Sequence, residues 1–134
     1  MKTSKTEGTR AKHMVNPINV AIGQEYYKEL KDGAASQAAF SNLLGKDLLN
    51  NNHPIITGIM TKDAAGHALN GWKHSTQHIV TIYGFDFSSP TEGTISYMET
   101  GSQGAGTTKH GSQSMDYQSF WPLVAANNVQ IVGK

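Results

Sequence analysis

The sequence predicts an α+β domain in which N-terminal helices pack on a mostly antiparallel sheet. Three observations carry that expectation. Apolar residues recur at helical spacing in two early stretches and one late one. β-branched and aromatic residues gather instead in short runs in the middle and at the end, separated by Pro, Gly, Asn and Ser clusters. Two such runs, 78–86 and 94–100, follow one another with only a turn cluster between them, which suits a hairpin rather than a βαβ unit.

Residues 1–9 are polar and are expected to be loop. The hydroxyl of Thr9 can accept from the free amides of a first helical turn. A helix then holds Met14, Ile18 and Ala21 on one stripe, with Gly23 as its stop. Pro17 inside that stretch means either a kink or a true start near Asn16. The segment 25–30 (EYYKEL) reads as extended, and Asp32-Gly33 as a turn. From Ser36 a clearer helix runs through Phe40, Leu43, Leu44 and Leu48 to the polar run 50–52. Gly45 weakens it by about 1 kcal/mol relative to alanine. Pro54 forbids continuation and opens PIITGIM, a buried strand.

Residues 61–77 show no period and read as a long surface loop carrying His67, Trp72 and His74. HIVTIYGFD (78–86) is a strand, 88–93 a turn cluster and TISYMET (94–100) the returning strand. Gly101 to Gly111 is a second loop. Ser114 or Asp116 opens a helix holding Tyr117, Phe120, Trp121, Leu123 and Val124, with Pro122 restricting where its regular part begins. Asn127-Asn128 ends it, and VQIV (129–132) is the last strand.

The chain of 134 residues fits one domain spanning 1–134, long enough to bury a core without disulfides or metals. Eleven basic and ten acidic residues are scattered along it, for a net charge of +1, so no basic stripe tracks a phosphate backbone and nucleic acid is not an expected partner. No apolar run reaches the length of a membrane span. The start MKTSKTEGTR is positively charged but leads into no apolar segment, so it is not a signal peptide. Zero cysteines removes disulfides, redox CxxC centres and thiolate metal sites together.

A turn centred near Ser88 and Ser89 sets position 78 opposite 99, 80 opposite 97 and 82 opposite 95. Alternation then places His78, Val80 and Ile82 on one face with Ile95, Tyr97 and Glu99. His78 and Glu99 become cross-strand neighbours with Cβ atoms about 5 Å apart. A carboxylate there can fix the imidazole tautomer and leave the other ring nitrogen as a base. Taken from the hairpin alone, the pair better suits a cross-strand contact with no chemistry. His67, His74 and His78 do not form an expected metal site, because HSTQH leads into a strand, where residues four apart diverge. Ser75 and Thr76 lack a nucleophile elbow. GSQGAGTTKHG lacks the spacing of a phosphate loop, so no cofactor is expected. His13, His53 and His110 read as ordinary polar positions. Trp121 reads as core, whereas Trp72 either lines a cleft or pins its loop.

HIVTIYGFD followed by TISYMET resembles the H-x-V-x-x-x-G-Y-D … I-x-Y-x-D segment of bacterial C-39-like cysteine peptidases, papain-fold relatives of the bacteriocin-processing peptidases. HPIITGIM resembles that family's G-x-P-V-I strand, and QSFWPLVAANNVQIV its closing helix and last strand. TSKTEGT, followed by a helix and YYKEL, resembles the segment after the family's nucleophile helix. The likeness runs from Thr3 to Val132. It implies part of a papain-like fold, with His78 as the catalytic histidine. Glu99 falls where the family has the Asp or Asn that orients it, one methylene longer. It implies a peptide or protein substrate and a secreted or cell-surface location; Trp72 and His74, in the loop before His78, are the expected substrate contacts.

The family's nucleophile is a cysteine that opens a helix upstream of the region matched, with a glutamine just before it. Two explanations stay open. The chain is the C-terminal portion of a longer enzyme whose N-terminal segment brings the thiol, or it is a non-catalytic relative that binds a peptide or partner. A plain structural domain is the third reading. Under each, these residues alone are expected to be inactive as a peptidase, because the imidazole has no thiol to activate. A chain lacking such a helix is also expected to expose apolar surface and to associate.

Overall fold

A computed structural model describes residues 3–4, 8–9, 13–30, 36–101, 106–127 and 131–133. In chain order the elements are strands β1 (Thr3–Ser4) and β2 (Gly8–Thr9), helix α1 (Val15–Ile22), β3 (Lys28–Leu30) and α2 (Gln37–Leu44). A π-helical turn over Gly45–Asn50 continues α2. Then follow β4 (Ile55–Met60), β5 (Gln77–Ser89), β6 (Glu92–Glu99), β7 (Gly111–Asp116), α3 (Tyr117–Ala126) and β8 (Ile131–Gly133). The fold is α+β. Six strands form one sheet in the order β3-β8-β4-β5-β6-β7, every neighbouring pair antiparallel, and β1 pairs with β2 separately.

Both faces of the sheet carry helices, and alternation along each strand explains how. On β4, Ile55 and Ile59 point to one side and Ile56 to the other. The first side meets Phe40, Leu43 and Leu44 of α2 and Phe120, Leu123 and Val124 of α3, closing the main core over Val80, Ile82, Ile95 and Tyr97. The second side meets Tyr26, Tyr27, Val132 and the α1 residues Val15 and Ile18, with Met14 just before the helix. A strand covered on both faces is mostly apolar, and five of the six β4 residues are buried, with Thr57 the polar one among them.

Several local expectations change. Thr9 does not cap α1; it lies in β2, and Met14 occupies the cap position without a side-chain bond. Pro17 sits in the first turn, where no amide needs an intrahelical acceptor, so α1 starts two residues before it. Gly23 does end α1, in the left-handed conformation at φ 70°. Ser36 caps α2 through the Ala39 amide at 3.1 Å. Gly45 marks where α2 widens: the Asn51 amide reaches back five residues to the Lys46 carbonyl at 3.2 Å, and Asp47 turns wholly inside. Asp116 caps α3 through the Ser119 amide at 3.0 Å, and α3 continues through Pro122. Ser114 belongs instead to β7, an edge strand whose single apolar residue, Met115, gave no strand signal. The expected turn at Asp32-Gly33, and Asn128 of the pair expected to end the last helix, lie outside the described residues.

Candidate active site

The β5–β6 hairpin positions His78 and Glu99, but by a different route from the one the sequence suggests. The turn sits at Pro90-Thr91, with Ser89 opposite Glu92, two residues later than expected. Irregularities between Ile82 and Gly84 and between Phe87 and Ser89 each take back one position. The pairing therefore reaches Thr81 opposite Met98, a net slip of two residues. An even slip preserves the face. His78, Val80, Ile82, Tyr97 and Glu99 still share one side, yet Glu99 now lies diagonal to His78 instead of opposite it.

The longer glutamate arm spans that diagonal. His78 Nε2 lies 2.6 Å from Glu99 Oε1. The glutamate side chain is fully buried, while 15% of the imidazole remains exposed. The same Oε1 accepts the Gly101 amide at 2.6 Å, and Oε2 accepts the indole N–H of Trp72 at 2.9 Å. The carboxylate thus has three donors and no solvent, the environment in which a buried charge is tolerable. With Nε2 donating, the tautomer is set and Nδ1 is the basic nitrogen. Nδ1 has no hydrogen-bond partner among the described residues.

Trp72 reaches the site because residues 61–76 fold back on themselves, which corrects the expectation of a loop lying wholly on the surface. Thr61 and Thr76 pair amide to carbonyl at 2.9 Å, as do Leu69 and Thr61, and Trp72 reaches the Leu69 carbonyl at 3.1 Å. Leu69 and Trp72 are buried in the main core. The indole also tilts against the His78 ring, with centroids 4.9 Å apart. His74 is exposed at the rim, edge-on to Trp72 at 5.8 Å. Of the four expected site residues, His78, Glu99 and Trp72 make a connected group, and His74 joins it only through the indole.

Two contributors carry no signal in the sequence. Gly101 supplies an amide to Glu99 from a position where a Cβ would come within 2.9 Å of Oε1. His110, expected to be an ordinary polar position, places Nδ1 2.7 Å from the Gly101 carbonyl and braces that turn. Beneath them burial pushes the Tyr97 phenol up to about 12, against a lowering influence of the Asn70 backbone, and the Glu99 charge adds to the rise. His67 stands apart, its Nδ1 held by Asp63 at 2.6 Å. Ser75 donates its hydroxyl to the Lys62 carbonyl at 2.8 Å. Among the described residues no three His, Asp or Glu side chains converge on a metal position.

Comparison with protein-family models, with curated proteins and with solved structures finds no match for this chain.

Proposed function

We propose that this chain supplies the imidazole–carboxylate half of a papain-like, C-39-like cysteine peptidase site. The observation that supports it is the 2.6 Å bond between His78 Nε2 and a fully buried Glu99, which leaves Nδ1 as an oriented base. In that reaction Nδ1 takes the proton of a cysteine thiol, and the thiolate attacks the peptide carbonyl. The imidazolium then returns the proton to the leaving amine, and water completes hydrolysis of the acyl-enzyme. Glu99 stabilises the cation between these steps. His74, exposed against the edge of the Trp72 indole, would meet substrate. A secreted or cell-surface location goes with this reading.

The 134 residues contain no cysteine, so the thiol comes from outside them. The same fact favours a second reading, a peptide- or partner-binding module that keeps the fold without turnover. The test is the reading frame upstream of Met1, expected to encode a cysteine that opens a helix, with a glutamine a few residues before it. Expressed as one polypeptide, that protein should hydrolyse an unstructured peptide mixture and lose activity on His78→Ala. Peptide binding without hydrolysis would select the second reading, and hydrolysis indifferent to His78 would overturn the first.

A further inference from the structure

We infer that Trp72 is a positioning residue for the imidazole–carboxylate pair: its indole N–H anchors Glu99 Oε2 and thereby aims Oε1 at His78 Nε2. As a statement about catalysis this rests on the peptidase reading; as a statement about the pair it does not.

Geometry creates the need for an anchor. Glu99 meets His78 along a diagonal, with an arm that has three rotatable bonds, and a long flexible side chain loses side-chain entropy when it is held in one rotamer. One hydrogen bond to Oε1 would leave rotation about the last bond free. Holding Oε2 as well fixes the carboxylate plane. Trp72 is the partner of Oε2 at 2.9 Å, whereas His78 and the Gly101 amide share Oε1. A neutral, rigid donor suits this role. It satisfies the second oxygen without competing with the imidazole for the negative charge, as a lysine or arginine would.

The indole is itself held. Its backbone bridges to Thr107, the Thr108 amide reaches the Gly71 carbonyl at 3.1 Å, and only 6% of the residue is exposed. So little surface remains that a substrate contact is a minor part of what this side chain can do. Packing closes the other sides. A Cβ on Gly101 would press on Trp72, Thr107 and the carboxylate together, and one on Gly106 would run into the His74 ring that abuts the indole. The ring also covers the His78 imidazole. One side chain thus orients the acid, keeps water from it and supports the base.

The test needs no thiol. Nitrogen-15 NMR of the chain with labelled histidine reads the His78 tautomer from the shifts of its two ring nitrogens in the wild type, Trp72→Phe, Glu99→Gln and the double variant. Phenylalanine keeps an aromatic ring in place but has no N–H. Trp72→Phe is expected to move the ring-nitrogen shifts of His78 and to mix its tautomers, because the carboxylate that sets the tautomer loses one of its hydrogen bonds. In the Glu99→Gln background the same substitution should change nothing further, since it acts through the carboxylate. An unchanged His78 in Trp72→Phe overturns the inference, as does an equal shift with and without Glu99. Should Trp72→Phe not fold, Glu99→Gln alone is expected to move the indole N–H resonance and to speed its exchange about tenfold; an unmoved resonance again overturns it. A coupled His78 in a protein whose cysteine-bearing form cuts no peptide would sink the peptidase reading and leave this one standing.

Discussion

His78 and Glu99 bond at 2.6 Å although the strands that carry them do not set them opposite each other. Reach therefore matters as much as charge. Glu99→Asp is one methylene short for the diagonal and for Trp72 together, so the conservative change is expected to be the harmful one. Stranding the buried Trp72 and Gly101 donors should lower stability by roughly 2–3 kcal/mol. Glu99→Gln keeps the length and still accepts on one oxygen, and should cost less. Chemical denaturation of both variants checks the order. An aspartate variant within about 0.5 kcal/mol of wild type would mean that the site has slack enough to adjust.

The shared face of this pair was legible in the sequence; its register was not. Face depends on parity alone, and two bulges against a displaced turn leave an even slip. Bulges have no residue signature comparable to the apolar alternation that reveals a strand. The core of α2 and α3 was legible for the same reason as the face, because Phe40, Leu43, Leu44, Phe120 and Leu123 follow the helical period. β7 was hidden because its alternating inward positions hold Gly111, Gln113 and Met115, so the burial alternation leaves no apolar alternation in the sequence. Trp72 and Gly101 were hidden as partners because loops bring distant positions together by backbone bonds, which side-chain identity does not announce.

Gly45 offers a change of opposite sign. Its backbone is helical, at φ −59° and ψ −46°, and a Cβ added there meets nothing within 4 Å. Glycine at a helical position is entropically costly without being needed for space. Gly45→Ala is expected to stabilise the protein by about 0.5–1 kcal/mol, a rise of a few degrees in Tm. A fall instead would show that the π-turn requires glycine for a reason other than room, such as letting Asp47 swing inward.

Asp63 predicts an acid-sensitive loop. Burial works to raise its carboxyl, but hydrogen bonds from the His67 ring and amide and the His67 charge outweigh it, leaving the group below its ordinary value of 3.8. A carboxyl depressed on folding contributes stability above its ordinary value and loses it as pH falls through the folded one. The Tm gap between wild type and Asp63→Asn should therefore hold steady in mild acid and shrink below about pH 4. A gap independent of pH there would show that the loop is held without this carboxylate.

At the alkaline end the direction reverses, and the effect is larger because three phenols act together. Burial first, then the nearby Asp47 carboxylate, pushes Tyr26 up to about 12. Burial does the same to Tyr97 and Tyr117, against a weaker opposing hydrogen bond from Ser41 in the case of Tyr117. A phenol whose folded value lies above its ordinary value of 10.0 holds its proton longer in the native protein. The stability this represents is intact below the ordinary value and is lost as pH rises from there towards the folded value. Three such groups impose a slope of at most about 4 kcal/mol per pH unit, enough to unfold a domain of ordinary stability before the buried phenols ionise in place. Tyrosinate absorbance and circular dichroism, followed together, should thus change in one cooperative step above pH ~10 for these residues. Tyr117→Phe separates the contributions. It loses the bonds from Oη to the Gln37 carbonyl at 3.0 Å and to Ser41 at 2.9 Å, so it is expected to be weaker by roughly 1–2 kcal/mol at neutral pH. It also removes one ionising group, so its deficit should narrow as the solution becomes alkaline. Phenols that titrate gradually near their ordinary value while the fold persists would show that these side chains reach water more readily than their burial implies.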